Sequence, residues 1–422
     1  MSIEIRAVSE DELDAYVEAC AAGFGDEVHE GTQDRVRRVI GLERIHAAFD
    51  DRSRIVGTMG SHRMQLAVPG GDDVATAGLT RVTVAPTHRR QGILTNMMET
   101  HFDQAAANGE SLSFLWASEV GIYGRFGYAQ IGDNVGIKFN AKVADLRPPD
   151  TGDSIEPVTI DPVTVDEAKD LFPEVRERSR AERPGQFRRS DLWWEMRRLP
   201  DFTWERNGGS PHRHVVARRD GQPVGYATYR QHPKWTDTDI PDGRVDVADI
   251  AAVDAQSEHN LWWFLSNIDL FPNVSMWTQP SDSILPWIAR DPRGIKRLVT
   301  DGAHLRVLDI EAALSARKYD TTGQLVFKTL DPQRPALSGT YRLTVDDDGN
   351  GTCARIEASG ETSDRSQPVA TLSPCAIGGL YLGATPIKAL VLNGHIEAEQ
   401  SDLDTIRRLF TWPVAAWCDE TF

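Results

Sequence analysis

The chain has 422 residues, of which 40% are hydrophobic and 11 are tryptophan, and it carries a formal net charge of −17. That length suggests roughly two to four globular domains with sizeable cores, and the composition excludes a disordered chain. The acidic balance excludes a nucleic-acid partner, which would need a basic stripe to replace phosphate counterions, and it suits a cationic partner or simple solubility.

At the N-terminus acidic residues begin at Glu4, so no basic region leads into an apolar signal segment. Residues 1–150 then read as alternating strands and helices, a first domain. Ile3–Val8 alternates like a strand, and Ser9-Glu10-Asp11-Glu12 is a capping box for the helix that follows. Phe24, Asp26 and Glu27 end that helical region. They read either as the lining of an acceptor pocket or as a solvated acidic turn. Arg54–Val68, with β-branched residues punctuated by glycines, has the texture of a hairpin, and Leu79–Val84 that of a short strand.

Val82-Thr83-Val84-Ala85-Pro86-Thr87-His88-Arg89-Arg90-Gln91-Gly92-Ile93 is the sharpest motif. A strand ends at a proline turn, and a basic, glycine-containing loop opens the helix Gly92–Asn108. Backbone N–H groups and the positive end of the helix then point at one spot, which suits a diphosphate. Gly92 would remove a Cβ that could obstruct the anion. The alternative is a plain strand-to-helix turn with solvated arginines; the strand, turn and helix context favours the phosphate. The pattern is not that of a nucleoside-triphosphate loop.

Ser111–Trp116 reads as a strand, and Trp116-Ala117-Ser118-Glu119-Val120-Gly121-Ile122-Tyr123-Gly124-Arg125-Phe126-Gly127-Tyr128 as a short glycine-rich helix after it. The Tyr123 hydroxyl could donate a proton to a departing thiolate, or Tyr123 and Tyr128 could simply pack. Asp145–Pro157 is a linker by composition. Residues 151–300 resemble a worn second copy. Val224-Gly225 answers Val56-Gly57, Asp249–His259 answers Arg81–Arg90, and Val274–Trp277 answers Ser111–Trp116. Gln256-Ser257-Glu258-His259-Asn260 stands there in place of the basic glycine loop, leaving an anion uncradled. The tryptophan pairs 193–194 and 262–263 read as core.

From residue 301 to 422 the texture is that of an α+β third domain. Tyr341–Val345 and Thr352–Ala358 flank a turn at Asp346–Gly351. That turn, with Glu357, fits the calcium-loop expression of an EF-hand, but strand-like flanks make it a hairpin. Ser373–Leu392 reads as a helix or helix pair with Pro386 at a turn, and Leu403–Phe410 as a short helix. The four cysteines (Cys20, Cys353, Cys375 and Cys418) lack C-x-x-C spacing and are too sparse for a disulfide framework. No stretch reaches the roughly 18 apolar residues of a membrane helix, so a cytoplasmic protein is expected. The chain ends in Trp412-Pro413-Val414-Ala415-Ala416-Trp417 and, five residues on, Phe422. An aromatic last residue after a packable stretch fixes a terminal carboxylate, which either serves a substrate ammonium or merely marks an anchored tail.

The loop through Arg89, Gly92 and Leu94 resembles the pyrophosphate loop of the GCN5-related N-acetyltransferases (GNAT), with Leu94 where the last Gly or Ala usually stands. Over nearly its whole length the chain resembles the Eis (enhanced intracellular survival) family of these enzymes. The segments that carry this are VTVAPTHRRQGIL, ASEVGIYGRFGY, ATLSPCAIGGLYLGATPIKALVLNGHIE and the terminal Phe. The resemblance implies an α+β fold of two GNAT-like mixed-sheet domains, the second without a working site, and a sterol-carrier-like third domain. It implies acetyl-CoA on Val82, Thr83, Val84 and Arg90–Thr95 (Arg90, Gln91, Gly92, Ile93, Leu94, Thr95), beside Ser118 and Glu119, and no metal. It implies Tyr123 as proton donor, the Phe422 carboxylate as base, a homohexamer, and aminoglycoside-like polyamines or protein lysines as acceptors. Thr421 stands where an acid is expected in antibiotic-acetylating members. The rival reading is a non-enzymatic CoA- or lipid-binding protein with an apolar cavity in the third domain.

Overall fold

A computed structural model describes residues 3–150, 156–356 and 370–422. Its strands form three sheets. The first runs, in spatial order, Glu4–Ala7, Ile45–Phe49, Ile55–Ala67, Asp73–Val84, Leu112–Leu115, His304–Val307 and Ala129–Gln130. Its one parallel step joins Asp73–Val84 to Leu112–Leu115, and the helix Ile93–Ala107 makes the crossover. That helix buries Ile93, Met97, Met98, Phe102 and Ala105 on the sheet, the spacing of an apolar helical stripe.

The second sheet repeats the plan: Thr159–Val163, Arg213–Arg219, Gln222–His232, Arg244–Ala252, Asn273–Met276, Asp133–Asn140 and Ile295–Asp301. Its parallel step pairs Arg244–Ala252 with Asn273–Met276 across the helix Ala255–Ser266. The registers match too, with Gly57 opposite Val84 in one sheet and Gly225 opposite Ala252 in the other. Each sheet borrows its sixth strand from the other's stretch of chain. Asp133–Asn140 inserts into the second sheet, and His304–Val307 returns to the first. The two units are therefore laced together by backbone hydrogen bonds.

The third sheet orders Gly351–Ile356, Gly339–Val345, Gly323–Thr329, Ala370–Leu372 and Ile396–Ala398. Its core is continuous with that of the first sheet: Leu112, Phe114 and Leu305 share one apolar cluster with Leu325, Phe327 and Tyr381. The helix Pro374–Tyr381 lies against the first domain through Cys375, whose thiol contacts the carbonyls of Gly124 and Tyr128.

Several local expectations change. Arg54–Val68 is not a hairpin by itself but one long strand, Ile55–Ala67, and the turn falls at Pro69–Asp72. Gly57 serves close packing instead: a Cβ there would lie 3.1 Å from the Thr83 carbonyl and 3.3 Å from Met97 Sδ. The partner strand starts at Asp73 rather than Leu79, its small residues having hidden the alternation. The acidic turn does join two strands, with the Asp346 carboxylate accepting from the N–H groups of Asp348 and Asn350. Glu357 and Ala358, and residues 151–155 of the expected linker, lie outside the described residues. All four cysteines are free and buried.

Candidate active site

The strand Asp73–Val84 pairs with its parallel neighbour only as far as Gly78 opposite Phe114. Past that point a bulge intervenes: Thr58 faces Thr83 but Gly60 faces Thr80, and Arg81 takes a left-handed φ of 55°. The Thr58 hydroxyl pins the bulge, donating to the Arg81 carbonyl at 2.7 Å and lying 2.7 Å from the Thr83 hydroxyl. A bulge bends its strand, and here the bend splays two strands of one sheet. The wedge between them opens into a cavity of about 970 Å³.

Val82, Thr83 and Val84 form one wall of that cavity, and Arg89, Arg90, Gly92, Ile93, Leu94 and Thr95 its end. Arg90 and Gly92 both adopt left-handed backbone, with φ of 64° and 80°. A Cβ on Gly92 would meet nothing within 4 Å, so glycine is favoured there by conformation rather than by crowding. The helix has no side-chain cap, and its first internal bond runs from the Asn96 N–H to the Gly92 carbonyl. The N–H groups of Ile93, Leu94 and Thr95 thus have no partner within the helix, as the first turn of any helix requires. With two arginines alongside, this loop fits a diphosphate.

The opposite wall carries Ser118, Glu119 and Tyr123. Tyr123 sits in the 3₁₀ helix Val120–Phe126, which the left-handed Gly127 terminates. Its ring packs edge-on to Tyr128 at 5.9 Å. Burial, with the Glu119 carboxylate adding to it, pushes the Tyr123 hydroxyl up to about 12. The group stays protonated, hence a donor, throughout the neutral range.

Phe422 lines the same cavity, 5.6 Å from the His62 ring and 5.9 Å from Phe187. What brings the last residue there is a buried charge network in the second domain. Asp419 meets Arg176 at 2.7 Å and Arg189 at 3.2 Å. Glu420 pairs with Arg189, accepts from the Trp193 indole at 3.1 Å, and lies 3.1 Å from Arg198. Asp249 completes the set 2.6 Å from Arg189. Three guanidiniums face three carboxylates, which is what lets so many charges stay buried. The Trp116 indole donates to the Glu420 carbonyl at 2.5 Å, and Arg197 to the Thr421 carbonyl at 2.7 Å, so both walls of the cleft hold the tail.

Of the residues expected at the site, Gln91 does not line the cavity. Asp26 and Glu27 line an adjoining one of about 290 Å³, and Phe24 lines both. Sequence reasoning missed Arg35, His62, Arg81, Arg197 and Gln333, which reach the main cavity from all three domains. Only Arg81, directly before the Val82 motif, carried any signal. Among the described residues no group of three or more His, Cys, Asp and Glu side chains is arranged to hold a metal ion. No helix among them is long and apolar enough to cross a membrane.

Residues 4–131 match the acetyltransferase (GNAT) domain family, residues 185–307 a second acetyltransferase (GNAT) domain family, and residues 310–419 the sterol carrier protein domain. The chain is 33% identical to an uncharacterized N-acetyltransferase of Streptomyces avermitilis over the full length of both chains. It is 29% identical to the N-acetyltransferase Eis of Mycobacterium tuberculosis, across 97% of this chain and 96% of that one. Among solved structures, Eis1 of Mycobacterium abscessus superposes with a TM-score of 0.82 at 26% identity, over 99% of this chain and 100% of that one.

Proposed function

We propose, for a chain that belongs to the Eis family of GNAT N-acetyltransferases and acylates amines, a direct transfer from acetyl-CoA with Tyr123 as acid and the Phe422 carboxylate as base. One observation carries the reading: a helix start suited to a diphosphate, a protonated tyrosine and the chain's last residue line a single cavity. When bound, acetyl-CoA supplies the thioester carbonyl and the thiol leaving group. Arg89, Arg90 and the N–H groups of Ile93, Leu94 and Thr95 hold its diphosphate. As the carbon–nitrogen bond forms, the Phe422 carboxylate receives the proton leaving the acceptor nitrogen. As the carbon–sulfur bond breaks, the Tyr123 hydroxyl donates to the sulfur. A free carboxylate, with a pKa of roughly 3.3–3.7, is a weak base for an ammonium, so the neutral amine reacts and the carboxylate acts once nitrogen turns acidic.

The resemblance offers two acceptor classes, aminoglycoside-like polyamines and lysine side chains; each presents at least one ammonium to the Phe422 carboxylate. Hexameric assembly and a cytoplasmic location belong to the same reading, and mass photometry giving six copies would support the first.

The test removes Phe422, or adds a C-terminal tag, and follows CoA release with a panel of amines. Turnover is expected to fall about 1,000-fold, the scale of a lost general base, while acetyl-CoA still binds by calorimetry. Tyr123→Phe is expected to lower kcat about 100-fold. Because Tyr123 lies at about 12, kcat should hold level to the alkaline end of an assay at pH 7–10. A fall governed by a group near pKa 10 would remove Tyr123 from the role.

A further inference from the structure

Although the protein is strongly acidic, the wall shared by the two adjoining cavities is cationic. Arg35, Arg81 and Arg197 line both. Most buried arginines elsewhere meet carboxylates closely, as Arg189 does Asp249 at 2.6 Å, or backbone carbonyls, as Arg317 does. Arg35 bonds the Thr32 hydroxyl at 3.0 Å and lies over the Phe202 ring. Arg81 contacts Cys20 Sγ at 3.6 Å, and Arg197 donates to the Thr421 carbonyl. Among the described residues no carboxylate comes within ion-pair distance of any of them. The acidic groups that face this wall are Glu119 and the Phe422 terminus in the main cavity and Asp26, Glu27 and Glu205 in the smaller one.

His62 adds a neutral group to the same cavity. His62 is 3% exposed and lines the main cavity, yet its Nδ1 is buried with no hydrogen-bond partner. Burial first, then Arg197 and Arg81, pushes the ring well below the usual imidazole range, so it stays neutral. Burial, with Arg198, Arg81 and Arg35 adding to it against Glu420, brings Arg197 down to about 10. Like charges held this close favour a bound anion, because it relieves their repulsion.

We infer that Arg35, Arg81 and Arg197 form an anion subsite in the acceptor pocket, and that the acceptor amine itself carries a carboxylate, as an amino acid does. The inference rests on the acetyl-transfer reading above and puts a small amino acid in place of the two acceptor classes that the resemblance offers. Arg197 is tied to the carbonyl one residue before the terminal carboxylate. A cation and an anion thus sit side by side, in the complementary order to the ammonium and carboxylate of one small zwitterion. Val39, Ile40 and Trp116 supply an apolar surface for the remainder of the acceptor. A polycation would have to place its further ammonium groups on the acidic groups opposite and keep them off the three guanidiniums.

The test pairs amino acids with their decarboxylated amines, phenylalanine with phenethylamine for instance, alongside spermine and phosphoethanolamine. CoA release gives kcat/KM, and calorimetry in the presence of CoA gives binding without turnover. The carboxylated member of a pair is expected to be preferred about 100-fold, as when a site built to bind a charged group loses it. Arg35→Gln and Arg81→Gln are each expected to lower that ratio about tenfold. Generalised damage to the fold would lower both rates and leave the ratio unchanged, which would count against the inference. Preference for spermine or for the decarboxylated amines overturns it while leaving acetyl transfer intact, and preference for phosphoethanolamine overturns the carboxylate assignment. Selective binding of amino acids with no CoA release from any amine would instead uphold the subsite and overturn the acetyl-transfer reading.

Discussion

The two acetyltransferase-like domains place the same element, a helix start after a splayed strand, in two different electrostatic states. In the first, residues 85–92 separate strand from helix, two of them are left-handed, and Gly92 contributes no side chain to cap the helix. In the second, only Val253 and Asp254 intervene. Asp254 accepts from the Ser257 N–H at 2.8 Å and pairs with Arg219 at 2.8 Å. Every helix start attracts negative charge. The second domain supplies that charge covalently, whereas the first supplies none from a side chain. The second domain is not idle for that: its Arg176, Arg189, Arg198 and Asp249 hold Asp419 and Glu420, and so hold the terminus at the first domain's cleft. One fold thus appears twice, once around the cleft and once around the anchorage.

The largest effect should come from cutting that anchorage. Asp249 is buried beside Arg189 and receives the Tyr226 hydroxyl at 3.2 Å. Asp249→Ala leaves the network one positive charge in excess, at a cost of about 3–5 kcal/mol in urea unfolding. Turnover should fall as well, with Phe422 no longer fixed, although no substituted atom touches the cleft. The pH dependence carries a sign. Burial alone would raise Asp249, but Arg189 and Arg198 hold it well below the usual carboxylate range. Its contribution is therefore present above an unfolded-state pKa of about 3.9 and lost as pH falls below it. The wild type should lose more stability than the variant between pH 5 and 3. Equal acid sensitivity would break the division of roles.

Much of the first domain's site was legible because it is local. Strand, turn and helix start lie within residues 82–95, and the Tyr123 segment follows its strand directly. The terminal aromatic residue gave away only that the tail packs. What packs it could not be read: Asp419 and Glu420 look like ordinary tail acids until Arg176, Arg189 and Arg198 close around them. The exchange of Asp133–Asn140 and His304–Val307 between sheets was hidden for the same reason. Alternation specifies a strand but not its neighbour, and these pairings span more than a hundred residues. Net charge is no guide to the cleft, since a surplus of carboxylates over the whole chain coexists with a cavity that gathers Arg35, Arg81 and Arg197.

A smaller effect should follow from converting the first helix start into a copy of the second. Gly92→Asp places a carboxylate at the helix start as Asp254 does, although Gly92 is left-handed where Asp254 is extended, so its charge rather than a capping bond opposes the anion. Displacing a diphosphate from one or two charge-assisted hydrogen bonds is worth about 2 kcal/mol, so acetyl-CoA should bind about 30-fold more weakly by calorimetry. Gly92→Asn is the control. Asparagine tolerates the left-handed backbone as aspartate does but adds no charge, and it should retain most of the affinity. Equal losses in the two variants would assign Gly92 a purely conformational role.

The smallest effect is the reverse change. Asp254→Ala removes a helix cap and the partner of Arg219, costing about 1 kcal/mol of stability, the usual worth of a cap. If charge at the helix start were the whole difference between the domains, the variant would begin to bind CoA. It should not, because no loop equivalent to residues 85–92 carries arginines and left-handed residues around the anion. Titration of CoA into the double variant Gly92→Asp with Asp254→Ala makes the point most sharply. Tighter or additional binding relative to Gly92→Asp alone would mean that a bare helix end suffices, and no gain over it would locate the cradle in the loop that the second domain lacks.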